Sequence, residues 1–132
     1  MTETIKHVQD TEHMISLRTY ITDSSMVGES PGLLLAKCLA GEYKMIELIN
    51  ATAQTAGLVI YCYDEKKRQV HLALLHAVNT ADVFGPLLLE CFRHMGAAKI
   101  MAITKHNHDT IIKAVVKDLP VKTYTVLEVR LV

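Results

Sequence analysis

Residues 57–104 decide the fold, and they read GLVIYCYDEKKRQVHLALLHAVNTADVFGPLLLECFRHMGAAKIMAIT. The elements predicted in this stretch are a strand at 57–63, a polar turn at 64–68, a strand at 69–77, a helix from about Thr80 to Met95 that Gly96 closes, and a strand at 99–104. Two apolar runs with a short polar tip between them are typical of an antiparallel hairpin. The helix then supplies the crossover that parallel strands need, so the strands at 69–77 and 99–104 are predicted to be parallel neighbours.

The rest of the chain is predicted to cover this sheet. The further predicted elements are a short strand within 2–9, a helix from about Asp10 to Tyr20, a helix capped by Ser30 and ended by Gly41, a strand at 43–49, a helix from Asn107 or Asp109 to Asp118, and a strand at 122–132. We therefore predict a single α/β domain over residues 1–132, of the α+β mixed-sheet type. An antiparallel β-meander is followed by a β-α-β crossover, with helices on both faces. Because Pro86 lies early in the crossover helix, regular helix is predicted only from about Gly85.

The composition excludes several kinds of partner. Lysine plus arginine and aspartate plus glutamate number 14 each, so the formal net charge is zero. No strong positive field therefore attracts nucleic acid or an anionic membrane, and the near-zero charge favours self-association. The first residues lack a signal-peptide core and no apolar run is of transmembrane length, which predicts a cytoplasmic protein. Cys38, Cys62 and Cys91 lie in apolar runs without a C-x-x-C pair, which predicts small buried side chains in a reducing compartment.

The turn at 78–83 is the predicted ligand position. Ligands of open α/β sheets gather at the carboxyl ends of strands and at helix N-termini. This turn contains no glycine, and it carries Asp82. An aspartate at a helix N-terminus acts as a cap and dipole partner, whereas it repels a bound phosphate.

Two segments resemble a known family, namely LLAKCLAGEY at 34–43 and LLECFRHMGAAKI at 88–100. Together with the order and lengths of the elements over residues 30–132, they resemble the GNAT acyltransferase fold, and more narrowly the small GNAT-like proteins of tailed bacteriophages. The resemblance implies that an acetyl-CoA ligand would lie between the strands at 69–77 and 99–104. The residues that it places at the ligand are Val78, Asn79, Thr80, Ala81, Asp82 and Asn107.

The sequence also departs from the family pattern. Active members carry a Q/R-x-x-G-x-G/A loop before this helix, whereas residues 78–85 contain no arginine or glutamine and only Gly85. The family tyrosine that protonates the leaving thiolate would fall near Ala114, and the nearest tyrosine is Tyr124. These departures predict a degenerate site with no cofactor, and a general acid would have to come from elsewhere.

His76, Glu47 and His71 are the weak catalytic candidates. The family often places a general base on the strand that carries both histidines. Since these histidines are five residues apart, they are predicted to point to opposite faces, so that at most one faces a cleft. The alternative is that His71 and Glu47 belong to a half-solvated sheet face and that His76 bonds a backbone group.

Residues 105–109, KHNHD, contain residue types that can bind a metal ion. His106, His108 and Asp109 could form a two-histidine-plus-carboxylate set. They are adjacent loop residues without a distant partner, so a helix-capping turn is preferred and no metal is predicted.

Three hypotheses follow. The first is a non-catalytic GNAT-fold protein, a bacteriophage structural or assembly component that contacts other virion proteins or itself, in the host cytoplasm or the virion. The second is an acetyl-CoA-dependent N-acyltransferase with a divergent pyrophosphate loop. The third is a small regulatory or inhibitory domain that binds a host protein through an exposed strand edge.

Overall fold

The computed structural model describes residues 2–21, 29–77 and 81–102, and for residues 77, 81 and 82 it describes the backbone alone. The elements in chain order are β1 (Thr4–Val8), α1 (Thr11–Ser16), a short 3₁₀ helix (Arg18–Tyr20), α2 (Pro31–Leu39), β2 (Lys44–Ile49), β3 (Thr55–Asp64), β4 (Gln69–Ala77), α3 (Ala81–His94) and β5 (Lys99–Ala102). The strand predicted within 2–9 is therefore confirmed as β1.

The strands form one sheet in the order β1-β2-β3-β4-β5. The pairs β1–β2, β2–β3 and β3–β4 are antiparallel, whereas β5 lies parallel to β4. The residues 69–72 pair with 99–102 in this parallel ladder, and α3 is the crossover between the two strands. The antiparallel meander and the parallel β-α-β unit are both confirmed.

Side-chain caps start the first two helices. The N–H group of His13 donates to Oδ2 of Asp10 over 3.0 Å, which caps α1. The N–H group of Leu33 donates to Oγ of Ser30 over 3.3 Å, and Pro31 occupies the first position of α2. Both caps satisfy N–H groups that have no acceptor inside the helix.

Glycines end α2 and α3. Gly41 has φ +83° and Gly96 has φ +98°, in the left-handed region that side chains disfavour. After each glycine, the next N–H group bonds the carbonyl five residues earlier, at 3.0 Å in both cases. This bond satisfies a helix-terminal carbonyl and fixes the direction in which the chain enters the next strand.

The first helix is shorter than predicted. Regular α-helix ends at Ser16, and the 3₁₀ helix at Arg18–Tyr20 follows. The hydroxyl of Ser16 donates to the carbonyl of His13 over 2.6 Å, so a side chain competes for an acceptor of the last turn. The N–H group of Tyr20 then bonds the carbonyl of Leu17, only three residues earlier.

The predicted late start of the crossover helix was wrong. α3 begins at Ala81 and Pro86 lies inside it. Proline has a helical φ, and at this position its missing N–H group costs one bond, to the carbonyl of residue 82. That carbonyl belongs to the first turn, where the backbone can move away from the proline ring, so the helix continues through Pro86.

Each face of the sheet packs against helices and has its own core. The buried residues of the first core, beneath α1 and α2, are Val8, Met14, Leu17, Ile21, Leu34, Cys38, Met45, Leu58, Ile60, Ala73 and Leu74. Those of the second core, beneath α3, are Ile46, Leu48, Ala56, Val59, Tyr61, Val70, Leu72, Phe84, Leu88 and Phe92. Cys38 is buried as predicted, whereas Cys62 and Cys91 are only half-buried, and all three thiols are free.

A β-bulge in β4 reverses one prediction. Between the pairs 60–74 and 61–72 the register shifts, because Ala73 is an extra residue on β4. His71 pairs with Cys62 and His76 pairs with Leu58, and these two partners are four residues apart on β3. Directly paired residues share a face, so both histidines lie on the face covered by α1 and α2. The prediction of opposite faces was wrong.

Several predicted elements lie outside the described residues. They are the end of the strand at 103–104, the helix from Asn107 or Asp109 to Asp118, and the strand at 122–132. Within the part of the chain that is described, no helix is both long enough and apolar enough to cross a membrane.

Candidate functional site

One row across the sheet brings two of the predicted candidates together. Lys6 pairs with Glu47, Glu47 pairs with Leu58, and Leu58 pairs with His76. These four residues occupy β1 to β4 in turn, on the face beneath α1. Glu47 and His76 are two strands apart, or roughly 10 Å, with Leu58 between them. His71 shares their face but lies five residues away, near the start of β4, and its side chain is exposed.

Glu47 is the one buried acidic or basic residue among those described, with 6% of its surface exposed. Its Oε1 atom accepts a hydrogen bond from Nε2 of His13 over 2.8 Å. Its Oε2 atom accepts one from the hydroxyl of Thr55 over 2.6 Å. Both carboxyl oxygens therefore have a partner, which offsets the cost of removing the group from water.

His13 connects this carboxyl group to solvent. Its side chain is 36% exposed, and its Nδ1 atom lies 3.3 Å from the hydroxyl of Ser16. The single proton of that hydroxyl is donated to the carbonyl of His13. The ring of His13 is thus held between the carboxyl group of Glu47 and the hydroxyl of Ser16.

Sequence reasoning missed His13 and Thr55. Glu47 interrupts the apolar strand MIELI, and a charged residue in such a strand indicates a buried polar partner. The partner His13 is 34 residues away in the chain. No local pattern connects the two, because their contact depends on how α1 packs on the sheet.

His76 lies at the end of β4 that precedes α3. It is the second-last residue of the strand and is half-buried. The ring of Tyr20, in the 3₁₀ helix after α1, packs beside it with centroids 6.4 Å apart and an angle of 52° between the planes. A neighbouring ring restricts the orientations that the imidazole can adopt.

Only part of the predicted ligand loop is described. The backbone at Ala81 and Asp82 forms the first turn of α3, so Asp82 is an N-terminal helix residue as expected. Val78, Asn79 and Thr80 lie outside the described residues, and so does Asn107. The proposed metal ligands His106, His108 and Asp109 are outside them as well. In residues 2–21, 29–77 and 81–102, no three histidine, cysteine or acidic side chains are grouped to hold a metal ion.

A surface cleft of about 680 Å³ lies at the other end of the sheet, where β1 ends and β2 begins. Its lining includes His7, Lys44, Tyr61 and Met95, and it includes none of the three catalytic candidates. The three catalytic candidates therefore lie outside this opening.

No protein-family model and no curated protein matches the sequence. Solved structures do match. A Bacillus subtilis protein, YycN, which carries a provisional acetyltransferase name, matches with a TM-score of 0.64, at 16% identity over 98% of this chain and 99% of its own. An acetyltransferase of Trypanosoma brucei matches with a TM-score of 0.56, at 10% identity over 96% and 99% of the two chains. A variant of the spermidine N-acetyltransferase SpeG of Vibrio cholerae matches with a TM-score of 0.53, at 13% identity over 75% and 67%.

These similarities establish the fold. The structures resembling the chain include a Staphylococcus aureus protein with a provisional GNAT-family acetyltransferase name. The matches to the Bacillus subtilis and Trypanosoma brucei proteins extend over almost the full length of both chains. At 10–16% identity the activity does not follow from the fold. The comparisons give no support to the narrower resemblance to bacteriophage proteins or to a degenerate site. The protein therefore has a GNAT-like fold, with a mixed five-stranded sheet and helices on both faces.

Proposed function

We propose that the protein is an acyl-CoA-dependent N-acyltransferase that uses acetyl-CoA as donor and an amine as acceptor. The observation that carries this proposal is the position of His76. It lies beside the turn into α3 and on the same face as the Glu47 network. The names of the structures that share the fold support acetyl transfer, and one of them is a spermidine N-acetyltransferase. An amine is therefore the first class of acceptor to test.

The start of α3, next to the end of β4, supports binding of an acyl-CoA in this proposal. Three residues separate β4 from α3, so the first turn of a 14-residue helix follows the strand closely. The N–H groups of that turn have no acceptor inside the helix, and they favour an anion such as a pyrophosphate. Asn79 and Thr80 are the residues that we expect beside it, whereas the charge of Asp82 weakens the site. When bound, acetyl-CoA supplies the acetyl thioester.

The role that we assign to His76 is to accept a proton from the acceptor amine. An ammonium group has no free electron pair, so it must lose a proton before its nitrogen can attack a carbonyl carbon. A neutral imidazole is suited to this step near neutral pH. Tyr20 holds the ring of His76 from one side.

The Glu47 network has a positioning role in this proposal. The hydrogen bond between His13 and Glu47 ties α1 to β2. The 3₁₀ helix that carries Tyr20 follows α1 directly, so this tie also fixes where the tyrosine ring lies over β4. Since both oxygens of Glu47 are occupied, we assign proton transfer to His76 and not to Glu47.

The test begins with binding of acetyl-CoA and CoA to the full chain, measured by calorimetry at moderate salt. We expect micromolar binding that Asn79→Asp or Thr80→Asp weakens, because an added negative charge repels the pyrophosphate. Release of the CoA thiol is then followed with polyamines and peptide N-termini as acceptors. His76→Ala should lower turnover about 10²- to 10⁴-fold without changing the dissociation constant of acetyl-CoA.

His71→Ala is the matched control. It removes the other histidine from the same strand and face, away from the α3 end, and it should keep the turnover of the unmodified protein. Equal turnover in the two variants would exclude His76 as the proton acceptor. Failure to bind at millimolar acetyl-CoA would exclude the enzyme altogether. The expected bacteriophage structural role has no supporting observation, and that last result would direct the search to protein partners.

A further inference from the structure

Four polar atoms meet on the opposite face of the sheet, between the edge strand β1 and α3. Nε2 of His7 lies 3.1 Å from the hydroxyl oxygen of Tyr61 and 3.9 Å from Sγ of Cys91. The same hydroxyl donates to Sδ of Met95 over 3.7 Å. The imidazole nitrogen thus contacts both the phenol and the thiol, and the phenol also contacts the thioether.

The sulfur atoms of Cys91 and Met95 come from one turn of helix. The N–H group of Met95 bonds the carbonyl of Cys91 over 3.2 Å, so the helical hydrogen bonding of α3 extends to Met95. Residues four apart lie on the same side of a helix. His7 approaches from β1, which packs against α3 at this point. The three donors are therefore held by the strand β1 and by the last turn of α3, which packs against it.

We propose that His7, Cys91 and Met95 bind a soft monovalent metal ion, Cu(I). Thiolate and thioether sulfur select Cu(I) over the harder divalent ions, and imidazole is a good third ligand. Zinc sites use cysteine, histidine and carboxylate ligands, and methionine is not among them.

The distance between His7 and Cys91 suits a shared metal ion. With bonds of about 2.0 Å to nitrogen and about 2.3 Å to sulfur, an ion that bridges atoms 3.9 Å apart has an N–metal–S angle of about 130°. That angle is close to trigonal and leaves a third position, for which Met95 is the candidate because its Sδ atom contacts the same hydroxyl as His7.

An ion can reach this site from solvent. His7 is exposed on the edge strand, and His7, Tyr61 and Met95 all line the 680 Å³ cleft. On binding, Cu(I) forms bonds to the sulfur and to Nε2, the thiol proton of Cys91 leaves to solvent, and the oxidation state of the metal does not change. Because the metal binds the thiolate form of cysteine, protons compete with it and the affinity falls as the pH is lowered.

The experiment is a competition between the full, reduced chain and the coloured Cu(I) chelator bicinchoninate, without oxygen. The unmodified protein should remove one Cu(I) per chain from the chelator. Cys91→Ser should weaken binding at least about a hundredfold, and Met95→Leu and His7→Gln at least about tenfold each, because each loses one bond to the ion. Met95→Leu nearly conserves volume, so it keeps the test valid if Cys91→Ser folds poorly.

Cys62→Ser is the matched control, since Cys62 is also half-buried but lies on the opposite face of the sheet. It should bind Cu(I) like the unmodified protein. The proposal is overturned if the unmodified protein takes no copper, if Cys62→Ser loses as much affinity as Cys91→Ser, or if Met95→Leu keeps full affinity. These results are independent of acetyl-CoA binding and of His76.

Discussion

Removing the hydroxyl group of Thr55 tests the hydrogen bonds that hold the buried carboxyl group of Glu47. Thr55→Val keeps the shape of the side chain and deletes the donor to Oε2 of Glu47, which is 2.6 Å away. Valine is also a good strand residue, so the backbone of β3 has no reason to change. The effect should therefore report the hydrogen bond itself.

The expected cost follows from burial and charge. A hydrogen bond to an ionised group contributes about 1.5–3 kcal/mol, and a buried oxygen left without a partner cannot recover this from water. Since Glu47 is only 6% exposed, we expect the free energy of unfolding to fall by about 2 kcal/mol. A chain of 132 residues has an unfolding entropy near 0.28 kcal/mol/K, so the melting temperature should fall by about 7 °C.

The assay is urea denaturation followed by circular dichroism, with Thr4→Val as control. Thr4 is an exposed threonine on β1, and its replacement should change the unfolding free energy by less than about 0.5 kcal/mol. The double variant Glu47→Gln/Thr55→Val completes a cycle. Because a bond to a neutral amide is about half as strong, Thr55→Val should cost about 1 kcal/mol less in the Gln background. Equal losses in Thr55→Val and Thr4→Val, or the same loss in both backgrounds, would refute the network.

Three further predictions concern the scaffold. Gly41→Ala should destabilise the protein by about 1 kcal/mol because φ at Gly41 is +83°. Gly32→Ala should stabilise it by up to about 1 kcal/mol, because Gly32 lies inside α2 and an added Cβ meets no atom within 4 Å there, as at Gly41. Thermal melts measure both variants, and equal shifts in melting temperature would contradict this difference. Burial raises the pKa of Cys38 from 9.0 to about 11, so the contribution of the protonated thiol to stability is complete below pH 9 and is lost as the pH rises to 11. Urea midpoints measured across this pH window should therefore fall less steeply in Cys38→Ala than in the unmodified protein. An equally steep fall in both proteins would contradict this role of the thiol. Phe84→Ala in the second core should lower the free energy of unfolding by about 3–5 kcal/mol in the same urea assay. Val83→Ala should lower it by less than about 1 kcal/mol, because the side chain of Val83 is 40% exposed. Similar losses in the two variants would show that α3 packs differently.

Local chemistry in the sequence predicted the ends of the helices well. The caps at Asp10 and Ser30 and the stops at Gly41 and Gly96 depend on contacts within a few residues, so the residue types alone indicate them. The same reasoning failed at Pro86, where the rest of α3 packs against the sheet strongly enough to carry the helix through a missing hydrogen bond.

The face on which each histidine lies could not be predicted. Strand phase is deduced from the alternation of apolar and polar residues, and the run LALL at 72–75 has no alternation because β4 is covered on both faces. In such an apolar run, the sequence pattern does not show that Ala73 is an extra residue in the pairing with β3. The bulge is set by pairing with β3, which is a tertiary contact, and it moves every later side chain of β4 to the other face.

The bulge also changes how the three catalytic candidates can be distinguished. With His71 and His76 on one face, orientation no longer separates them, and their environments must do so. His71 is exposed near the start of β4, while Glu47 has both oxygens occupied by His13 and Thr55. His76 alone combines partial burial, a neighbouring ring and a position next to α3. A proton acceptor needs a lone pair that can reach the substrate, so the comparison of His76→Ala with His71→Ala is the one that tests catalysis directly, and a variant of Glu47 tests the scaffold that holds it.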